Sequence, residues 1–151
     1  MNIEDYIRNK IIHDVDGEEL ENAISYYLDN KKGLNFGEFS LTGVNKSGTD
    51  GIIFPNKAIE ATTQSSGVKQ KFESDVKGVV NDNKYESLLF ITTHPSKELK
   101  QKQKELEQEH DISIEIVGLE DLVDYTVKIQ KRSSSTVNKK DAAFNLVFKR
   151  D

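Results

Sequence analysis

Two carboxylates in the segment GTDGIIFPNKAIEATTQ have the types and spacing of a metal site. Asp50 opens one predicted strand, and Glu60 lies on the next strand, beyond a turn at Pro55-Asn56. Strand alternation places Glu60, Thr62 and Gln64 on one face of the sheet. The simplest hairpin register brings that face beside Asp50. Two carboxylates with neutral donors nearby suit a hard divalent cation, which polarises a phosphate and activates water.

A structural role can also explain these residues. An aspartate followed by glycine, as at Asp50, is common in turns. The polar face that carries Glu60 can simply be the solvent side of a half-exposed hairpin. Both readings are kept at this point, because residue types and spacing alone do not separate them.

The remaining composition restricts which metal such a site would take. The chain has no cysteine, and its three histidines, His13, His94 and His110, are far apart in the sequence. A zinc site built from thiolates or several histidines is therefore not predicted. Oxygen ligands favour Mg²⁺ or Mn²⁺, which is the expected cofactor.

Hydrophobic periodicity predicts the elements that must position this segment. Helical spacing predicts helices over residues 3–12, 17–29, 68–81, 96–109 and 119–127. Apolar or alternating runs predict strands over residues 36–42, 50–54, 57–64, 88–91 and 112–116. Asp16 is a suitable N-cap for the second helix. The body reads α-βββ-α-β-α-β-α, which predicts an α/β fold with a mixed sheet flanked by helices.

Length and charge indicate one domain with a basic end. The 151 residues carry a net charge of −5, yet residues 126–151 contain 7 basic and 2 acidic groups. We predict one domain over residues 1–130, and over residues 131–151 a basic linker and C-terminal segment that could lead to a further domain. There is no run of about 20 apolar residues and no apolar signal-peptide core, so a cytoplasmic protein without membrane contact is expected.

These features together resemble a known nuclease family. A helix with a carboxylate, a strand with GTDG and a hairpin strand with E-x-T resemble the core of the PD-(D/E)XK nuclease superfamily. The later run LLFITTHPSKELKQKQKELEQEHDISIEIVGLEDLVDYT is similar to the Mrr-like restriction endonuclease branch. The resemblance covers roughly residues 15–127. It implies a restriction-endonuclease-like, three-layer α/β/α core.

The resemblance also implies roles for individual residues. Asp50 matches the metal-binding aspartate of the family and Glu60 its second acidic ligand. Glu21 matches the helical glutamate that often completes the metal site. Gln64, one outward-facing step beyond the motif, is a candidate for orienting the attacking water.

The lysine of the family motif is absent from its usual place. Thr62 stands where the family usually has lysine, which stabilises developing negative charge. Lys69 or Lys71, at the start of the next helix, could reach the site from a migrated position, and Lys69 completes the predicted catalytic set. Whether either lysine or Gln64 takes this role, or the site is inactive, is left open.

The implied activity is hydrolysis of DNA phosphodiester bonds by a Mg²⁺-dependent deoxyribonuclease. Such a domain would be the cleavage module of a restriction or phage-defence protein, with another domain or subunit for target recognition. The target sequence, the strand preference and homodimer formation are open. One alternative is a catalytically degenerate module of the same fold that serves nucleic-acid binding or assembly. Another is an adaptor whose polar helix over residues 96–109 binds a protein partner.

Overall fold

The structure, a computed structural model, describes residues 2–28, 50–53, 55–131 and 142–148, and the backbone alone of 36–39, 132 and 139–141. Within these ranges the helices are α1 Ile3–Asp14, α2 Gly17–Tyr27, α3 Val68–Asp82, α4 Leu99–His110, α5 Leu119–Arg132 and α6 Lys139–Phe148. The strands are β1 Phe36–Phe39, β2 Gly51–Ile53, β3 Lys57–Thr62, β4 Ser87–Thr92 and β5 Ser113–Val117. In the described ranges no helix has the length and apolar character that crossing a membrane requires.

One mixed sheet organises the fold, and its strands lie side by side in the order β1-β2-β3-β4-β5. β1, β2 and β3 pair antiparallel, whereas β3, β4 and β5 pair parallel. The parallel steps are made through α3 and α4, as crossovers between parallel strands require. The predicted α/β class, with a mixed sheet flanked by helices, is confirmed.

The sheet separates two hydrophobic clusters. On one face, Ile59, Leu89 and Val117 pack with residues of α1, α2, α5 and α6. On the other face, Ala58 and Phe90 pack with residues of α3 and α4. Neighbouring residues of one strand point to opposite faces, so Ile59 and Ala58 belong to different clusters. Glu60 therefore points toward the face that α3 and α4 cover.

Helix α2 begins at a defined capping signal. Asp16 Oδ1 accepts a hydrogen bond from the Glu19 N–H at 2.8 Å, and the Asp16 N–H donates to Glu19 Oε1 at 3.2 Å. This reciprocal pair is a capping box, which satisfies backbone groups left free at a helix start. The predicted N-cap is confirmed, and it fixes Gly17 as the first residue of α2.

Helix α4 covers the outer edge of β5. The Gln103 side-chain amide donates to the Ile114 carbonyl at 2.6 Å, and the Ile114 N–H donates to Glu107 Oε2 at 2.9 Å. Both outward-facing backbone groups of Ile114 are thus paired with side chains. An edge strand otherwise offers such groups to another strand, so these contacts protect the edge of the sheet.

The junction between β5 and α5 is closely packed around Gly118. The Ser96 hydroxyl donates to Glu120 Oε1 at 3.0 Å, and the Gly118 N–H donates to Asp121 Oδ2 at 3.0 Å. A Cβ at position 118 would lie 2.6 Å from both Ser96 Cβ and Glu120 Oε1. Position 118 therefore has no room for a side chain.

The C-terminal part of the chain contributes to the same core. Helix α6 lies within residues 131–151, for which we predict a basic linker and C-terminal segment. Its side chains at Phe144 and Phe148 are buried with residues of α1, α2 and α5. Residues 133–138 of the predicted linker lie outside the described residues, as do residues 40–42 of the first predicted strand.

Candidate metal and catalytic site

The β2–β3 hairpin brings Asp50 against Glu60. Gly51 pairs with Ile59 and Ile53 with Lys57, and continuing this register by one residue sets Asp50 opposite Glu60. The Asp50 N–H donates to the Ile59 carbonyl at 3.0 Å, and Asp50 Oδ2 accepts from the Ala61 N–H at 2.8 Å. The two carboxyl groups lie within hydrogen-bonding reach of each other.

Glu60 is an unusual buried acid. Its side chain is only 2% exposed, and its Oε1 atom has no hydrogen-bond partner in the part of the chain that the structure describes. An unpaired, buried polar atom is destabilising, so such atoms are rare in folded proteins. The unpaired oxygen is therefore the clearest feature of this site that the stability of the fold does not explain.

The surroundings favour a protonated Glu60. Burial raises the pKa of Glu60 to about 9, and the negative charges of Asp75 and Asp50 act in the same direction while Lys71 opposes them. The hydrogen bond between Asp50 and Glu60 raises the pKa of Glu60 but lowers that of Asp50. Both effects favour a proton on Glu60 that is donated to Asp50.

Asp50 and Asp75 also hold their protons more tightly than ordinary aspartates. Burial raises the pKa of Asp50, and the charge of Glu21 adds to this, whereas the Ala61 N–H and Lys71 lower it. Burial likewise raises the pKa of Asp75, with Lys71 opposing it. All three neighbouring carboxyl groups thus lie in surroundings that disfavour negative charge.

Lys71 is the cation among these carboxylates. It stands near the start of α3, and its Nζ lies 2.9 Å from Asp75 Oδ1, one turn further along the helix. Burial disfavours the charged lysine, but Asp75, Glu60 and Asp50 together reverse this and raise the pKa of Lys71. The amino group is therefore held in its charged form beside the hairpin.

A small polar cavity opens at this point. It has a volume of about 220 Å³ and lies where the start of α2, the end of β3 and the first turns of α3 meet. Its lining is Gly17, Asp50, Ala61, Thr62, Thr63 and Lys71. Since a water molecule occupies about 30 Å³ in the liquid, the cavity suits a hydrated ion or one phosphate-sized group.

The structure brings some of the predicted residues to this cavity. Asp50 lines it, and Glu60 lies against Asp50. Glu21 is half-buried on α2, one turn beyond Gly17, and its charge acts on Asp50. Among the described residues, no group of three or more aspartate, glutamate or histidine side chains is arranged to hold one metal ion. Of the three predicted acidic ligands, Asp50 and Glu60 thus lie against each other, and Glu21 acts on Asp50 through its charge.

Gln64 and Lys69 lie away from the carboxylate pair. β3 ends at Thr62, so the alternation that predicted a shared face does not extend to Gln64. The exposed Gln64 side chain donates to the Ser66 carbonyl at 2.7 Å. Lys69 is exposed on α3, where its charge acts on Glu73. Of the two lysines considered at the start of this helix, Lys71 faces the site.

Sequence reasoning missed Asp75. This residue lies three positions after Phe72 and four before Val79, both of which are fully buried. An acid on the apolar stripe of an amphipathic helix was a usable signal, because such positions are normally apolar. It also stands at the helical i+4 position from Lys71, where oppositely charged side chains meet.

The residues present fit a divalent cation in their chemistry. A carboxylate pair that shares a proton has oxygen ligands of the type that Mg²⁺ and Mn²⁺ prefer. A bound cation would take over from the proton in offsetting the charge, and the unpaired Glu60 Oε1 is free to serve as a ligand. Comparison of the chain with protein-family models, curated proteins and solved structures found no match.

Proposed function

We propose that the chain is a Mg²⁺- or Mn²⁺-dependent nuclease domain that hydrolyses phosphodiester bonds in DNA. The observation that carries the proposal is that Asp50 and Lys71 line one polar cavity, while Glu60 lies against Asp50 behind it. Two acids and a lysine are the side chains that the resemblance to the PD-(D/E)XK superfamily implies. Here the lysine comes from helix α3 instead of the strand that carries Glu60.

Each of these residues has a chemical task. Asp50 and Glu60 would hold the cation, which when bound lowers the pKa of water and polarises the phosphate. Glu60 must give up its proton for this, and Asp50 is already oriented by the Ala61 N–H. The Lys71 ammonium lines the cavity, so it can stabilise negative charge that develops on a phosphate there.

The architecture supports a restriction-endonuclease-like core. An antiparallel hairpin leads into parallel strands, and helices cover both faces of the sheet. We further propose that the domain acts as the cleavage module of a restriction or phage-defence protein. Another domain or subunit, or a second copy of the chain, would complete target recognition.

The test compares matched lysine variants on DNA. The purified chain is incubated with supercoiled and linear DNA in the presence of Mg²⁺, Mn²⁺ or EDTA. We expect cation-dependent cleavage that is lost in Asp50→Ala and falls about 100- to 1000-fold in Lys71→Met. Lys69→Met, an exposed lysine on the same helix, is the control and should cleave normally.

Two results would contradict the proposal. Cleavage that survives Asp50→Ala would exclude the carboxylate pair as the site. Absence of cleavage with every cation and DNA form would favour the alternative, a catalytically degenerate module of the same fold. One observation favours that alternative: no three-ligand metal group occurs in the described residues. DNA binding without cleavage, measured by gel shift, would then be the expected behaviour.

A further inference from the structure

The Lys71–Asp75 pair differs from an ordinary surface ion pair. The Asp75 side chain is only 10% exposed, whereas that of Lys71 is 36% exposed. Lys71 lines the cavity, and Asp75 does not. The acid therefore holds the amino group from the buried side of helix α3, while the lysine keeps access to the cavity.

A second atom of Asp75 has no partner. Oδ1 is paired with Lys71, but Oδ2 is buried without a hydrogen-bond partner in the described parts of the chain. Burying a carboxylate with one free oxygen is unfavourable, and a helix of this amphipathic pattern would be more stable with an apolar residue there. Its negative charge also acts on Glu60. The position is thus unfavourable for the fold alone.

From these contacts we infer that Asp75 is a positioning residue that holds Lys71 toward the cavity for the cleavage reaction. The inference rests on the proposed function. A free lysine side chain samples many rotamers, and an ion pair with a buried, rigid partner restricts that sampling. Asp75 would not touch the phosphate, and its effect would pass through the lysine.

The test measures the cleavage rate constant kcat and the KM for DNA in four proteins: unaltered, Asp75→Asn, Lys71→Met and the double variant. Asp75→Asn should lower kcat about 10- to 100-fold with little change in KM, as loss of a supporting partner typically does. The double variant should be no slower than Lys71→Met alone, because both changes remove the same interaction. Asp75→Glu, which restores the charge, should recover part of the loss.

Asp14→Asn is the matched control. Lys10 and Asp14 form an i,i+4 pair in the same order on α1, with Nζ 3.6 Å from Oδ2, and the two side chains are 34% and 52% exposed. This variant should leave kcat unchanged. An Asp75→Asn enzyme with normal kcat, or a double variant slower than Lys71→Met, would overturn the inference.

Chemical labelling separates this inference from the proposed function. Lysines are acetylated with limiting acetic anhydride, and modification at each position is read by peptide mass spectrometry. Asp75→Asn should raise the labelling of Lys71 several-fold, whereas Asp14→Asn should not. If the unaltered chain cleaves nothing, the nuclease proposal fails, and faster labelling of Lys71 still shows that Asp75 holds the lysine. Unchanged labelling of Lys71 in Asp75→Asn would overturn the inference that Asp75 holds the lysine.

Discussion

Replacing Glu60 by glutamine should stabilise the metal-free protein at neutral and alkaline pH. Glutamine has the shape of a protonated glutamate but no charge to bury. Glu60 is 2% exposed, and burial is the main reason why its pKa rises from 4.5 to about 9. Between these two values the folded protein keeps the proton that the unfolded chain loses. The contribution of Glu60 to the free energy of unfolding is therefore fully present below pH 4.5 and decreases as the pH rises toward 9.

The size of the effect follows from this linkage. Each pH unit between the unfolded and the folded pKa changes the free energy of unfolding by about 1.4 kcal/mol. From about pH 5 to pH 8 the unaltered protein should thus lose about 4 kcal/mol relative to Glu60→Gln. Domains of this kind have a total stability of about 5–15 kcal/mol, so the difference is easily measured.

The assay is urea unfolding in EDTA at several pH values, with both proteins measured side by side. The quantity of interest is the difference in the free energy of unfolding, because other groups with shifted pKa values, such as Asp75, contribute to both proteins. Glu98→Gln, which removes one exposed charge, is the control for net charge. A difference between Glu60→Gln and the unaltered protein that does not change with pH would refute the assignment of the proton to Glu60.

Three further predictions concern packing, the sheet edge and metal binding. Gly118→Ala should lower the free energy of unfolding by about 1–3 kcal/mol through overpacking. Gly78→Ala, at a position with open space in α3, should raise it by about 0.5–1 kcal/mol. Urea unfolding measures both changes. Glu107→Ala leaves a backbone N–H of β5 unpaired and should destabilise by about 1–3 kcal/mol, whereas the exposed Glu109→Ala should change little in the same assay. Binding of Mg²⁺ or Mn²⁺ near neutral pH should release about one proton, and Glu60→Gln should abolish this release. Calorimetry in two buffers of different ionisation enthalpy measures the number of protons released.

Much of the fold could be predicted because its elements follow clear periodic patterns. The apolar stripe containing Phe72 and Val76 predicts α3, and the alternation of Ile112, Ile114 and Ile116 predicts the last strand. The Asp50–Glu60 pair could also be predicted, since a short hairpin with a turn at Pro55-Asn56 has few registers. Local sequence determines these features, so tertiary packing had little to change.

The lysine and its partner depend on packing that the sequence does not state. Lys69 and Lys71 are two residues apart, which on a helix separates them by more than half a turn, so only the orientation of α3 decides which one faces β3. Gln64 was misplaced because its predicted face assumed a strand that continues to residue 64, whereas β3 ends at Thr62. The sequence shows residues 142–149 as a short apolar end, but which helices α6 packs against depends on the tertiary arrangement.

The distribution of unfavourable positions is itself an argument about function. The two hydrophobic clusters are apolar and closely packed, and a domain of this size needs nothing more to fold. Glu60 and Asp75 each bury an oxygen that has no partner among the described residues, as Asp82 does at the end of α3. Glu60 and Asp75 lie close to each other, and each faces like charges. Apolar residues at both positions would stabilise the fold, because they would remove desolvated acids from it. Departures from stability that lie together beside a polar cavity are typical of functional sites. Lys71, which pairs with Asp75 and lines the cavity, is the residue that the proposed function requires to meet a phosphate.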